Sequence, residues 1–228
     1  GDQQILEAVK AGRLSVDQVD QAVERLLMLV QKAVNSKKKS AKYSKVAHHA
    51  LAKRIASECF VLLKNDDDLL PLPKKGSCAL IGAVAQTPRY QGGGSSHINS
   101  SMLDNPVEEI MAVAGNSRIT YAQGYYLEKD EESAELIAEA LQIAQEADSI
   151  VLFIGLPDRF ESEGFDRKHL RIPVNQILLL EKLAQVNKRI AVVLLNGSPI
   201  EMPWISQAMA VMECYLGGQA LGGAVADL

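Results

Sequence analysis

The chain has 228 residues, of which 47% are hydrophobic and 23% are charged, and its formal net charge is −4. This composition is ordinary for a globular protein with a real core. It gives no basic footprint for nucleic acid, and no apolar run reaches the length of a membrane-spanning helix, so neither nucleic acid nor a membrane is predicted as a partner.

The start of the chain predicts two helices followed by a linker. Gly12 is typical of a helix stop and ends the first helix. Ser15 begins the second helix, with Gln18 three residues later completing a capping box. The polar and basic residues 35–40 predict a linker at a domain boundary. The predicted segments are therefore residues 1–40, before the boundary, and residues 41–228, which form the main domain.

The main domain alternates between strand-like and helical patterns. Its predicted strands lie at residues 60–65, 78–84, 119–122, 150–155, 190–196 and 208–215, and its predicted helices begin near residue 43 and cover residues 105–114, 131–146 and 174–186. Alternation of this kind predicts an α/β fold with a mostly parallel sheet and helices on both faces, which is a three-layer sandwich.

The cysteines and histidines show no metal-binding or disulfide pattern. Cys59, Cys78 and Cys214 are an odd number of cysteines without motif spacing, and all three are predicted to be buried. His48 and His49 are adjacent on a predicted helix, so they do not share one face. No metal and no cofactor is predicted.

A glycine-rich loop follows the strand predicted at residues 78–84. Gly92-Gly93-Gly94-Ser95-Ser96 comes too late after that strand for a dinucleotide-binding turn, and no Gly-Lys-Ser/Thr follows it, so nucleotide binding is disfavoured. Two interpretations stay open. The segment is a flexible surface loop, or its glycines let backbone and serine hydroxyls approach a polar ligand closely.

An acidic loop follows the apolar strand predicted at residues 150–155. It carries Glu161, Glu163 and the pair Asp166-Arg167. Ligands of open α/β sheets bind beyond the carboxyl ends of the strands, where this loop is expected. It is either a solvated loop in which Asp166 pairs with Arg167, or the source of a general acid whose pKa is raised by burial or a nearby negative charge. Glycoside hydrolysis needs two carboxyl groups, and a second one is not obvious in this domain.

Several motifs occur in a fixed order along the whole chain. They are Ala56-Ser57-Glu58-Cys59-Phe60-Val61-Leu62-Leu63-Lys64-Asn65, Leu69-Leu70-Pro71-Leu72, Gly92-Gly93-Gly94-Ser95-Ser96, Glu163-Gly164-x-Asp166-Arg167, Asn196-Gly197-Ser198-Pro199 and Tyr215-Leu216-Gly217-Gly218-Gln219-Ala220. Together they resemble landmarks of the family 3 glycoside hydrolases, which are mainly β-glucosidases and related exo-acting enzymes. One motif alone would be weak, but the set and its order are specific.

The resemblance implies a (β/α) barrel followed by an α/β sandwich domain, with the active site between them. Residues 1–40 then correspond to the last two helices of a truncated barrel. The barrel's nucleophilic aspartate stands in a Ser/Thr-Asp-Trp context, and this chain has no such motif. The chain also begins without methionine and ends in mid-pattern at Leu228, so we expect a fragment of a longer protein.

The same resemblance implies roles for particular residues. Glu163 matches the general acid/base, with Glu161 as the rival if the register is shifted by two. Ser95 and Ser96 fall near the serine that contacts the sugar bound at the non-reducing end. The implied partners are a small carbohydrate and the barrel domain of the same protein.

The function implied by the resemblance is that of a retaining exo-acting β-glycosidase, which removes terminal non-reducing β-D-glycosyl residues. The fragment alone is expected to be inactive, because the nucleophile lies outside it. The alternative is a carbohydrate-binding or structural α/β domain without turnover. Sugar specificity, linkage, oligomeric state and cellular compartment are not predicted.

Overall fold

The computed structural model describes residues 1–37 and 42–227. The chain divides into two compact units, Gly1–Tyr43 and Ser44–Leu228. Of the linker predicted at residues 35–40, residues 38–40 lie outside the described residues, and residues 35 and 36 belong to the second helix of the chain. Among the helices that are described, none is both long enough and apolar enough to cross a bilayer.

The first unit contains two helices, α1 (Asp2–Lys10) and α2 (Val16–Ser36). Gly12 adopts a positive φ of 69° two residues after the end of α1, which confirms the predicted glycine stop. The predicted capping box at the start of α2 is also confirmed, since Gln18 N–H donates to Ser15 Oγ at 3.2 Å and Ser15 N–H donates to Gln18 Oε1 at 3.1 Å. No residue of either helix is buried, and Leu27 of α2 is 61% exposed.

The second unit is built on a six-stranded sheet. Its strands are β1 (Val61–Asn65), β2 (Ser77–Ile81), β3 (Arg118–Ala122), β4 (Ser149–Gly155), β5 (Ile190–Leu195) and β6 (Ala210–Glu213). Its helices are α3 (Lys45–Cys59), α4 (Ala83–Gln86), α5 (Pro106–Val113), α6 (Ala134–Glu146), α7 (Val174–Val186) and α8 (Leu221–Ala226). Every predicted strand and helix is present. The end of the second predicted strand is wrong, because Val84 belongs to α4, and α8 was not predicted.

The strand order is β1-β6-β5-β4-β2-β3, and five strands are parallel while β1 runs antiparallel to β6 at one edge. The chain passes from β2 to β3 on one side and then returns to β4 on the other side of β2. The direction of winding therefore reverses between β2 and β4. In open α/β sheets, the loops that leave two such strands diverge and form the crevice in which ligands bind.

Helices cover both faces of the sheet, as predicted. Successive strand residues point to opposite faces, so Leu152 of β4 lies in one core with Leu179 and Leu183 of α7, while Phe153 lies in the other core with Leu221 of α8. This double coverage explains why every residue of β4 and β5 is buried and why, apart from Ser149, all of them are apolar or glycine. The polar side chains that a ligand can reach are therefore expected in the loops that leave β4 and β5.

Helix α3 departs from the sequence prediction. Cys78 and Cys214 are buried as predicted, and burial raises the pKa of the Cys78 thiol to about 11. Cys59 was expected to be buried as well, and this is wrong, because it is exposed at the end of α3. Ala56 is the buried residue of this helix, and Ile55 is 51% exposed. Apolar periodicity alone did not reveal which side of α3 faces the rest of the unit.

Gly155 ends β4 where the backbone of β5 passes close by. A Cβ at this position would lie 2.7 Å from the Leu195 carbonyl carbon and 3.0 Å from its nitrogen. We therefore expect Gly155→Ala to lower the free energy of unfolding by about 1–3 kcal/mol, because neither strand backbone can move without disturbing the sheet. Urea unfolding followed by far-ultraviolet circular dichroism measures this change.

Gly92→Ala is the matched control for this prediction. A Cβ at Gly92 would meet only Ser96 Oγ, at 3.8 Å, which is an ordinary contact. Its expected effect on the free energy of unfolding is below about 0.5 kcal/mol. Equal losses in the two variants would show that the close approach at Gly155 does not limit stability.

Candidate functional site

The glycine-rich loop and the acidic loop meet at the carboxyl edge of the sheet. They leave β2 and β4, the two strands between which the winding reverses. A Cβ on Gly93 would lie 2.7 Å from Ser162 Oγ, and one on Gly94 would lie 2.5 Å from Glu163 Oε2. Gly94 also has a positive φ of 90°. These glycines therefore permit a close approach between two loops of the same chain.

Glu163 lies at this meeting point and is exposed. Its Oε2 accepts hydrogen bonds from the Ser95 hydroxyl and from the Ser95 backbone N–H, the latter at 2.6 Å. Both bonds favour the carboxylate, so first the hydroxyl and then the N–H lower the pKa of Glu163. The raised pKa expected for a general acid is therefore wrong for this chain by itself. Ser96 is exposed beside Ser95.

Glu161 has a different environment, although it is only two residues away. Its side chain is 18% exposed, its Oε2 forms an ion pair with Arg89 Nη1 at 2.5 Å, and the same oxygen accepts from Gly197 N–H at 2.9 Å. Partial burial alone would raise the pKa of Glu161, but the hydrogen bonds from Gly197 and Arg89 outweigh it and lower the pKa. Glu161 is thus a carboxylate that forms a structural ion pair with Arg89.

Arg89 is the functional candidate that the sequence did not reveal. It stands in the loop after β2, six residues before Ser95, and it is only 8% exposed. Arginine is rarely buried unless it is paired, and here the guanidinium is directed at Glu161. The sequence around Arg89, between Pro88 and Tyr90, has no helical or strand-like apolar pattern that would predict its burial.

Arg167 does not form the predicted pair with Asp166. Its Nη1 donates instead to Ser198 Oγ at 2.8 Å and to the Pro199 carbonyl at 3.0 Å. Asp166 is exposed. The Asp166–Arg167 pair, which belonged to the interpretation of this segment as a solvated loop, is therefore not formed. Arg167 instead connects the end of the acidic loop to the loop that leaves β5.

Glu213 is a further carboxyl group at this edge, at the end of β6. It is 8% exposed, and it accepts hydrogen bonds from Asn196 Nδ2 at 3.2 Å and from Tyr215 N–H at 3.0 Å. Burial chiefly, together with the charge of Glu161, raises the pKa of Glu213. Its burial leaves Glu213 without access to a ligand, so a raised pKa here does not make it a candidate acid.

The chemistry available at this edge is proton transfer by an exposed carboxyl group. Within residues 1–37 and 42–227, no group of three His, Cys, Asp or Glu side chains could hold a metal ion. Glu163 has the access and the flanking hydroxyl that a proton donor or acceptor needs. A nucleophilic displacement at a carbon atom of the ligand would also need a nucleophile on the side of that carbon opposite the leaving group.

Comparison with known proteins gives a consistent result. Residues 60–228 match the family model described as the glycosyl hydrolase family 3 C-terminal domain. The chain is 54% identical over 228 residues to thermostable beta-glucosidase B of Acetivibrio thermocellus, covering all of this chain and 30% of that protein. It is 39% identical over 244 residues to an exo-alpha-(1->6)-L-arabinopyranosidase of Bifidobacterium breve, covering all of this chain and 31% of that protein.

A solved structure shows the same fold. The crystal structure of the Bifidobacterium adolescentis GH3 beta-glucosidase superposes with a TM-score of 0.91 at 39% identity, covering all of this chain and 33% of that one. The chain therefore spans about a third of the length of the proteins that it matches.

The Ser95 contact predicts a measurable change in the acidity of Glu163. Ser95→Ala removes the hydroxyl donor and keeps the N–H donor, so the pKa of Glu163 should rise part of the way toward its ordinary value. The stabilisation from this hydroxyl is present above the ordinary carboxyl pKa and is lost as the pH falls through the lowered one. Titration of the Glu163 side-chain carbon by nuclear magnetic resonance measures the shift.

Ser96→Ala is the control, since it changes a neighbouring hydroxyl of the same loop. The pKa of Glu163 should stay at the wild-type value in this variant. A pKa that is unchanged in Ser95→Ala, or equally raised in both variants, would contradict a direct hydrogen bond from Ser95.

Proposed function

Because this chain belongs to glycosyl hydrolase family 3, we propose that it supplies the general acid/base, Glu163, to a retaining β-glycosidase that releases terminal non-reducing β-D-glucosyl residues. The nucleophile belongs to a barrel domain of the same protein, outside this chain. The active site then forms where the carboxyl edge of the sheet meets that barrel.

One observation carries this proposal. Of the two glutamates in the acidic loop, Glu161 is withdrawn into an ion pair with Arg89, and Glu163 is exposed at the strand reversal with a serine hydroxyl on its carboxylate. A group that transfers a proton to a ligand must be within hydrogen-bond reach of it. Exposure and position therefore favour Glu163 over Glu161.

The mechanism uses Glu163 in both protonation states. In the first step its carboxyl group donates a proton to the departing glycosidic oxygen while the barrel's aspartate attacks the anomeric carbon. In the second step the Glu163 carboxylate takes a proton from the water that releases the sugar. Two displacements on the same carbon retain its configuration.

The lowered pKa of Glu163 in this chain has a consequence for that mechanism. Hydrogen bonds from Ser95 suit the second step, in which Glu163 acts as a base. The first step needs a protonated acid, and the carboxylate of the nucleophile, about 5–5.5 Å away in retaining enzymes, raises the pKa by its like charge. Once the nucleophile is esterified this charge disappears, and the pKa falls again.

The glucoside assignment is supported by the relative with 54% identity, which is named a beta-glucosidase. The relative with 39% identity is named an arabinopyranosidase, so the fold of this domain is compatible with more than one pyranoside. The sugar is therefore selected largely by residues outside this chain, and Glu163 acts at the bond shared by such substrates.

Glu163→Gln in the full-length enzyme tests the proposal. With an alkyl β-glucoside, whose leaving group needs protonation, kcat/KM should fall by about 10²–10⁴-fold. With an activated aryl β-glucoside the first step needs little protonation, so the pre-steady-state release of the phenol should change much less. Rapid-mixing kinetics with both substrates measure the two effects.

Asp166→Asn is the matched control, because it neutralises another exposed carboxylate of the same loop. Its kcat/KM for both substrates should remain within about threefold of the wild type. Equally small losses on both substrates in Glu163→Gln would refute the acid/base assignment. Clear hydrolysis of an aryl β-glucoside by the 228-residue chain alone would refute the location of the nucleophile outside it.

A further inference from the structure

We propose that Arg89 and Glu161 are positioning residues for Glu163, an inference that rests on the proposed function. Their partly buried ion pair holds the first part of the acidic loop, so that the carboxyl group of Glu163 meets the scissile oxygen in a defined geometry.

The guanidinium of Arg89 contacts the acidic loop at both ends of its first turn. Nη1 donates to the Leu156 carbonyl at 2.7 Å and to Glu161 Oε2 at 2.5 Å, and Nη2 donates to the Glu161 carbonyl at 2.6 Å. Nε donates to Asp158 Oδ1 at 3.0 Å. One side chain thus binds the residue that follows β4 and both the backbone and the carboxylate of Glu161.

A third loop completes this arrangement. Gly197, which follows β5, donates its N–H to Glu161 Oε2 at 2.9 Å, and a Cβ at Gly197 would lie 2.9 Å from Glu161 Oε1. A side chain at this position would therefore have to displace both Leu216 and Glu161. The loops that leave β2, β4 and β5 converge on the single carboxylate of Glu161.

The distance to Glu163 along the chain is short. Glu161 precedes it by two residues, so its Cα cannot lie more than about 7 Å away. Glu163 is itself exposed, and its carboxylate accepts two hydrogen bonds from Ser95. Ser95 lies six residues after Arg89, in the loop that Arg89 also anchors. The ion pair therefore constrains both the acid and its hydrogen-bond donor.

Electrostatic arguments favour a positioning role for the Arg89–Glu161 ion pair over a purely stabilising one. Arg89 is buried and Glu161 is partly buried, so their attraction is offset by the free energy needed to remove both charges from water, and such a pair is a weak source of stability. A planar guanidinium with several fixed donors is, however, well suited to hold one carboxylate and its backbone in a single orientation. Proton transfer is sensitive to such orientation, because small displacements of a catalytic group have large effects on rate.

Glu161→Gln and Arg89→Lys in the full-length enzyme test this proposal. Glu161→Gln keeps the size of the side chain and an acceptor for Gly197 N–H but removes the negative charge. Arg89→Lys keeps the positive charge but removes the planar guanidinium and its several N–H donors. In both variants kcat/KM for an alkyl β-glucoside should fall by about tenfold or more, mainly through kcat. Phenol release from an activated aryl β-glucoside should change by less than about threefold, since it needs little protonation.

Asn187→Ala controls for lost stability. Its side-chain amide donates two hydrogen bonds, to the carbonyls of Ala144 and Ala147, at the other edge of the sheet. This variant should lower the melting temperature, but it should not slow the alkyl β-glucoside more than the aryl β-glucoside. If Glu161→Gln lowers the rates on both substrates in proportion, or leaves both unchanged, the pair does not position the acid.

The pH dependence separates this proposal from the proposed function. Glu163→Gln should remove the alkaline limb of kcat/KM for the alkyl glucoside, while Glu161→Gln should keep that limb at a reduced rate. Loss of the limb in Glu161→Gln alone would make Glu161 the acid and overturn both assignments. A different outcome would overturn the positioning role only. In that outcome Glu163→Gln removes the alkaline limb, but Glu161→Gln and Arg89→Lys do not slow the alkyl glucoside more than the aryl glucoside.

Discussion

Coverage of both faces of a parallel sheet is the constraint from which the site follows. Strands β4 and β5 are buried along their whole length and are apolar apart from Ser149 at the start of β4, because a polar side chain on either face would be buried away from water. The loops at the strand ends therefore carry the polar chemistry. The reversal of winding between β2 and β4 then determines which two loops adjoin, and these are the loops that carry Ser95 and Glu163.

The three glutamates at this edge show how environment separates chemically identical groups. Glu213 is buried with a raised pKa, Glu161 is held as a carboxylate by Arg89 and Gly197, and Glu163 is an exposed carboxylate that accepts from Ser95. Only the last has the access that proton transfer to a ligand requires. Its lowered pKa suits a base, so its proposed role as an acid requires a neighbouring negative charge from outside this chain.

Much of the fold could be predicted from local patterns, and the misses have physical reasons. Helix α8 was not predicted, because the adjacent Gly222 and Gly223 disfavour a helix. Gly222 is required by tertiary packing, since a Cβ there would lie within 2.9 Å of the backbone of Asp104 and Asn105. The exposure of Cys59 was missed because periodicity identifies an apolar stripe but not which neighbours cover it. The pairing of Arg167 with Ser198 was missed because the partner lies in another loop.

The sequence by itself determined the alternation of strands and helices, the helix caps of the first unit and the motifs that resemble family 3, since these depend on residues close together in the chain. It also singled out Glu163, with Glu161 as its rival. Only the tertiary structure distinguished the environments of these two glutamates, because Arg89 and Gly197 approach Glu161 from the loops of two other strands. Burial and ion pairing are properties of contacts between distant segments, and no local pattern encodes them.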